Sequence, residues 1–157
     1  MSVPAIPAGF HSVTPYLIVK GAARAIAFYK SAFGAEELFR MEGPGGSVAH
    51  AEIKIGDSPI MLADEFPEMM AVGPETLGGT SVGLVIYAED ADALAARGLA
   101  AGLTVKREVK DQFYGHRSGT FLDPFGHLWT LSTQKEILTP EEMSERMKAA
   151  MSQQSPG

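Results

Sequence analysis

The sequence contains no cysteine in its 157 residues. This absence excludes disulfides, thiolate nucleophiles and zinc–sulfur centres. No apolar run approaches the ~20 residues that a membrane-spanning helix needs. Acidic residues outnumber basic residues, and the formal net charge is −6. This charge disfavours nucleic acid and anionic membranes as partners. The N-terminus lacks the basic and apolar segments of a secretory signal, so the composition predicts a cytoplasmic protein.

The hydrophobic period changes repeatedly along the chain and predicts two similar sets of elements. Residues 13–21 are β-branched and aromatic, as expected for a strand, and residues 22–34 carry an apolar stripe at helical spacing that stops at Gly34. Three strands are predicted to follow, at about 36–42, 47–55 and 59–64. The same order then recurs as a strand at 80–90, a helix at 90–102, and strands at 104–113, 115–123 and 127–133.

This recurrence indicates an internal duplication. A shift of about 67 residues places Leu17-Ile18-Val19 on Leu84-Val85-Ile86 and preserves the element order. The predicted fold is α+β, with two βαβββ modules followed by a C-terminal helix. The predicted segments are an N-terminal arm (1–12), module one (13–65), a linker loop (66–79), module two (80–134), and the C-terminal helix and tail (135–157).

The C-terminal helix has a clear start signal in the sequence. Thr139 is suited to the N-cap, Pro140 to the first turn and Glu142 to the capping-box position. The final residues, 152–157, are polar and are predicted to be disordered.

Several motifs resemble one known protein family. The first strand and helix read PYLIVKGAARAIAFYKSAFGAE, and the last strands read YGHRSGTFLDPFGHLWTLST. Together with LADE at 62–65, these resemble the glyoxalase/bleomycin-resistance family, also called the vicinal oxygen chelate superfamily, and within it the PhnB-like branch. The resemblance covers residues 11–148. It implies that each sheet curls around a pocket and carries its helix on the convex face.

The resemblance also implies where a metal would be held in the enzymes of this family. The corresponding positions here are Thr14, Leu62, Ser81 and Thr130, with Gly83 as an alternative to Ser81. Hydroxyls and a leucine do not replace imidazoles and carboxylates as ligands of a divalent cation. No cofactor is therefore expected, and a divalent metal at another place in the protein is the alternative.

The stretch SVAHAEIKIG offers a different candidate site. Ala49, Ala51, Ile53 and Ile55 alternate with polar residues, so the small apolar side chains are predicted to pack under the first helix. His50 and Glu52 share the other face and are the candidate catalytic acid–base pair, with Asp64 or Glu65 as a possible third member. The alternative is a solvated strand face with a local His–Glu contact.

Other side chains are candidates for ligand contact or for packing. Tyr16, Glu65, Tyr114, Arg117 and Thr130 are predicted ligand-binding residues, and Phe121 and His116 are further candidates. Arg117 could hold an anion, or it could form a structural salt bridge. Trp129 is predicted to lie in the core, and His127 is predicted to stabilise a turn or to lie on the surface.

Three functions fit these observations. The first is a homodimer that binds a small molecule in a concave, metal-free pocket, which inward-facing Tyr16, Ile18 and Leu62 would line. The second is a metal-dependent lyase, isomerase or dioxygenase with a relocated site at His50, Glu52 and Glu65. The third is a scaffolding duplication whose product is the dimer. The sequence leaves open whether the protein is an enzyme.

Overall fold

The computed structural model describes residues 2–154 and contains two four-stranded sheets. The first half consists of β1 (Tyr16–Val19), α1 (Ala22–Phe33), β2 (Glu36–Glu42), β3 (Val48–Ile55) and β4 (Ser58–Asp64). The second half consists of β5 (Gly83–Tyr87), α3 (Ala91–Ala101), β6 (Thr104–Asp111), β7 (His116–Leu122) and β8 (Leu128–Gln134). A short helix, α2 (Pro74–Leu77), lies between the halves, and α4 (Pro140–Gln154) follows them.

The two sheets have equivalent topologies. The strand orders are β1-β4-β3-β2 and β5-β8-β7-β6. In each sheet the first strand is parallel to the last one, and the remaining neighbours are antiparallel. The α+β fold with a βαβββ order in each half and a C-terminal helix is therefore confirmed.

Local signals place the helices between these strands. Gly34 adopts a φ of 69°, and its backbone N–H closes the last turn of α1. Asp90 caps α3 by accepting a hydrogen bond from the backbone N–H of Ala93 at 3.0 Å. Thr139 likewise accepts one from the N–H of Glu142 at 3.1 Å, just before α4. The roles of Gly34 and Thr139 were predicted from the sequence.

A single core joins the two halves. The rings of Tyr29 and Phe33, on α1, contact that of Trp129, on β8, with centroid distances of 5.4 and 4.8 Å. Trp129 is buried as predicted. Phe121, a candidate for ligand contact or for packing, is buried in this core, because it is paired with Trp129 and points to the same face of the sheet.

Several elements differ in length from the prediction. β1 begins at Tyr16, after Pro15, which has no N–H for a sheet ladder, and β5 begins at Gly83. Thr14 and Ser81 consequently precede the strands on which they were placed. The tail prediction was wrong for residues 152–154, which extend α4, and residues 155–157 lie outside the described part.

None of the helices within residues 2–154 is both long and apolar enough to cross a membrane.

Candidate functional site

Each sheet has one face packed on the helices and one face turned away from them, here called the open face. On β1, Leu17 is buried and Tyr16 is exposed, so Tyr16 lies on the open face. Leu62 pairs with Leu17 and with Ala51, both core residues, and is fully buried. The placement of Leu62 in the pocket was therefore wrong by one residue, and Met61 and Ala63 occupy the open face of β4 instead.

Three side chains on the open face of the first sheet form a hydrogen-bonded triad. The hydroxyl of Tyr16 lies 2.8 Å from Nδ1 of His50. Nε2 of His50 lies 3.2 Å from Oε1 of Glu52. The alternation of β3 predicted the His50–Glu52 contact. The participation of Tyr16 was not predicted, because it depends on the register between β1 and β3 across β4.

The charge state of the triad determines the direction of its hydrogen bonds. A carboxylate only accepts, so Nε2 of His50 carries the hydrogen that Glu52 receives. In a neutral imidazole Nδ1 is then an acceptor, and Tyr16 donates to it. Partial burial, followed by the negative charge of Glu52, raises the pKa of Tyr16 above that of a free tyrosine. Tyr16 is therefore an uncharged phenol at neutral pH.

Apolar side chains surround this triad. Phe39 and Met41, on β2, pair with Glu52 and His50, and Met61 pairs with both Tyr16 and Glu52.

Ala49, predicted to pack under α1, is exposed. The β2–β3 register skips Ala49, which is the extra residue of a bulge, and Val48 is buried instead.

A cavity of about 590 Å³ lies beside β1, and Tyr16 is part of its wall. Its other walls come from the linker and from the residues leading into β5. The lining residues are Pro15, Tyr16, Leu17, Ile18, Val72, Pro74, Leu77, Gly78, Gly79, Thr80, Ser81, Val82, Leu84 and His127. We call this space the β1 cavity. Segment 66–79 was predicted to be a linker loop, but the contribution of Thr80 and His127 to a cavity wall was not predicted.

A second cavity of about 720 Å³ lies along β5 and the β3–β4 turn. It shares Pro15, Val82 and Leu84 with the β1 cavity, so the two are adjacent. No member of the triad lines it. The β1 cavity is therefore the better candidate site, although it is the smaller of the two.

The acidic residues at the end of β4 have structural partners instead of joining the triad. Asp64 accepts hydrogen bonds at 2.8 Å from the backbone N–H groups of Gly21, Ala22 and Val48. The carboxylate of Glu65 accepts one from the N–H of Gly73 at 2.7 Å. Hydrogen bonds, the largest from Thr76 and the next from Gly73, lower the pKa of Glu65.

The residues of this chain do not fit the metal site that the resemblance implies. Within residues 2–154, no group of three or more histidine, aspartate or glutamate side chains is placed to hold a cation. On the strands themselves, Met61, Ala63 and Thr130 occupy the open-face positions, and none is an imidazole or a carboxylate. Glu65 therefore does not complete a site with His50 and Glu52.

The second sheet carries a separate polar cluster. His116 lies 3.2 Å from the hydroxyl of Ser132 through Nδ1, and its ring contacts those of Tyr87 and Tyr114. The Tyr114 hydroxyl lies 3.2 Å from that of Ser118. These residues do not line the β1 cavity.

Two other predicted residues have defined partners. Arg117 donates to Asp92 at 2.6 Å and to Asp111 at 3.3 Å, which raises the pKa of its guanidinium and makes it a structural ion pair. Thr130 lies 3.3 Å from Thr120 through their hydroxyls. His127 is not a surface residue, because it is buried with Nε2 3.0 Å from the carbonyl oxygen of Ile18. It does stabilise the turn as predicted, since its backbone N–H donates to the carboxylate of Asp123 at 3.0 Å.

Comparisons with known proteins agree with this architecture. A family model described as the glyoxalase/bleomycin resistance protein/dioxygenase superfamily matches residues 9–131. Mb0911c of Mycobacterium bovis is 40% identical over 149 residues, covering 93% of this chain and 95% of that protein. The Arabidopsis thaliana At5g48480 product has a TM-score of 0.64 and 27% identity, covering 78% of this chain and 98% of its own. The PhnB protein from Bacillus cereus has a TM-score of 0.61 and 20% identity, covering 78% of this chain and 99% of its own. At this identity the similarity is one of fold alone.

Proposed function

Because this chain belongs to the glyoxalase/bleomycin resistance protein/dioxygenase superfamily, we propose that it binds a small molecule in the β1 cavity without a metal. The observation that carries this proposal is the position of Tyr16. Its side chain is both a wall of the cavity and the end of the triad with His50 and Glu52. A ligand in the cavity would meet a mostly apolar surface with a few polar side chains, one of which, Tyr16, is held by the triad.

The properties of the β1 cavity support this proposal. Small-molecule sites are typically 300–1,000 Å³ and mostly apolar, with few polar groups. The cavity of about 590 Å³ falls within this range. Its polar side chains are Tyr16, Thr80, Ser81 and His127, and the other walls are apolar or glycine.

The finer assignments are part of the same proposal. The strand and helix motifs support a place in the PhnB-like branch, in agreement with the likeness of fold to the Bacillus cereus protein. A homodimer would cover apolar side chains on the open faces, among them Phe39 and Met41. A cytoplasmic location and the absence of nucleic-acid partners remain predictions from composition.

A thermal-shift screen of a small-molecule library tests the function. A ligand that binds the native state stabilises it by about 2.7 kcal/mol at a hundred times its Kd, which raises Tm by several degrees. We expect such ligands to lose their effect in Ser81→Trp, which fills the β1 cavity. They should keep it in Ser58→Trp, a matched change in the second cavity. Ligands whose stabilising effect is lost in Ser58→Trp but kept in Ser81→Trp would place the site along β5 instead.

A metal-dependent lyase, isomerase or dioxygenase is the second candidate, and elemental analysis separates it from the first. About one equivalent of bound metal per chain, lost in His50→Ala, would favour it. Ligand-induced stabilisation that persists after treatment with a chelator would favour the metal-free binding site.

A further inference from the structure

We infer that the β1 cavity selects an uncharged, largely apolar ligand with one hydrogen-bond donor, an alcohol or phenol hydroxyl, directed to the oxygen of Tyr16. This inference rests on the proposed binding function and specifies its ligand class. It follows from three features of the described residues, which concern the charge of the cavity walls, the charges around it, and the direction of one hydrogen bond.

Among residues 2–154, no charged side chain lines the β1 cavity. Each of its lining residues is apolar, glycine, serine, threonine, tyrosine or histidine. An ionised ligand that enters such a cavity loses its hydration without gaining an opposite charge, and this desolvation is costly. The cavity therefore disfavours both anions and cations.

The negative charge of Glu52 disfavours anions further. Glu52 lies behind Tyr16, linked to it through His50, and its negative charge contributes to the raised pKa of Tyr16. Arg117, the candidate anion-binding residue, is paired with Asp92 and Asp111 and does not line the cavity. A carboxylate or phosphate would meet no cationic partner in the cavity walls.

The triad also sets the polarity of the Tyr16 hydroxyl. When the imidazole of His50 is neutral and Glu52 accepts the hydrogen on its Nε2, Nδ1 is an acceptor. The hydrogen of Tyr16 is directed to that nitrogen, 2.8 Å away. The lone pairs of the phenol oxygen remain available, so this oxygen accepts a hydrogen bond from the ligand.

Three naphthalene derivatives test this inference, carrying a hydroxyl, a methoxy or a carboxylate group at the same ring position. Their affinities are measured at neutral pH by ligand fluorescence, in wild type, Tyr16→Phe and Tyr87→Phe. We expect the hydroxyl compound to bind about three- to tenfold more tightly than the methoxy compound, the effect of one uncharged hydrogen bond. The carboxylate should bind at least about tenfold more weakly than the hydroxyl compound.

The variants assign the preference to one side chain. In Tyr16→Phe the difference between the hydroxyl and methoxy compounds should disappear. In Tyr87→Phe, where the substituted tyrosine does not line the β1 cavity, the difference should remain. A preference that survives Tyr16→Phe, or equal binding of the hydroxyl and methoxy compounds to wild type, would overturn the assignment of Tyr16 as the acceptor.

The remaining outcomes separate this inference from the proposed function. If the carboxylate binds as tightly as the hydroxyl compound, and Ser81→Trp abolishes both, the cavity binds ligands but the inferred ligand class is wrong. If none of the three compounds binds, the inferred class is also wrong. The library screen with the Ser81 and Ser58 variants then decides whether the cavity binds small molecules at all.

Discussion

Asp123 connects the closing turn of the second sheet to the helix of the first half. Its Oδ2 accepts hydrogen bonds from the Tyr29 hydroxyl at 2.6 Å and from Nε1 of Trp129 at 2.8 Å. Its Oδ1 accepts from the backbone N–H groups of Phe125 and His127 at 2.8 and 3.0 Å. Asp123 is buried, and these four donors replace the hydrogen bonds that its carboxylate would make to water.

The Tyr29–Asp123 bond predicts a loss of stability at alkaline pH. Burial, and then the charge of Asp123, raises the pKa of Tyr29 well above that of a free tyrosine. The phenol ionises more readily in the unfolded chain, near pH 10, than in the folded protein. Its contribution is therefore complete below pH ~10 and is lost as pH rises above that value. Chemical denaturation from neutral to strongly alkaline pH measures this decline.

Tyr29→Phe provides the comparison for that measurement. We expect it to cost about 1.5–3 kcal/mol at neutral pH, as for a hydrogen bond to a charged group, and to show a shallower alkaline decline than wild type. Tyr87→Phe, at an exposed tyrosine, is the control and should follow the wild-type pH dependence. Parallel curves for all three proteins would show that Tyr29 does not cause the decline.

At the scale of elements, the turn between β7 and β8 supports the linker that walls the β1 cavity. Gly126 adopts a φ of 92°, and a Cβ atom added there would lie 2.7 Å from Cβ of Pro74. Pro74 begins α2 and lines the cavity. The turn and the cavity wall are therefore in direct contact.

Gly126→Ala should be destabilising for two reasons, the left-handed backbone and the collision with Pro74. We expect a cost of about 2–4 kcal/mol, measured by chemical denaturation. Gly56→Ala isolates the first reason, because Gly56 also has a positive φ of 59° but has open space around its Cβ position. That variant should lose about 1 kcal/mol, and equal losses would mean that Pro74 moves aside freely.

Features encoded by neighbouring residues could be predicted from the sequence, and those that depend on distant residues could not. The ends of α1 and α3 follow from Gly34 and Asp90, which act on the turn beside them. The face of Leu62 was mistaken because a shift of one residue reverses the two faces of a strand. The contact between Tyr29 and Asp123 joins residues 94 positions apart, and no local pattern encodes it.

At the scale of the whole molecule, both open faces expose large apolar side chains. Phe39 and Met41 on the first sheet, and Val85 on the second, are each about half exposed. Within residues 2–154, both sheets also have unpaired edges, at β1 and β2 in the first and at β5 and β6 in the second. Exposed apolar faces and open edges favour association with another copy of the chain.

We therefore predict a dimer at micromolar concentration, detectable by sedimentation velocity. Met41→Glu and Val85→Glu should each shift the equilibrium toward monomer, because they place a charge in the interface. Val3→Lys, at an exposed apolar residue of the N-terminal arm, should leave the equilibrium unchanged. A wild-type monomer, or a Val3 variant that dissociates as readily as the other two, would contradict an interface at the open faces.

The contacts of Tyr29, on α1, with Asp123 and Trp129 also have a consequence for synthesis on the ribosome. Tyr29 leaves the exit tunnel long before Asp123, which is 94 residues later, and this gap corresponds to about 5–20 s at ordinary translation rates. Throughout that interval the apolar face of α1 is made but lacks its partners Asp123 and Trp129. A nascent chain stalled before residue 123 should therefore be more sensitive to protease within α1 than one stalled after β8 has emerged.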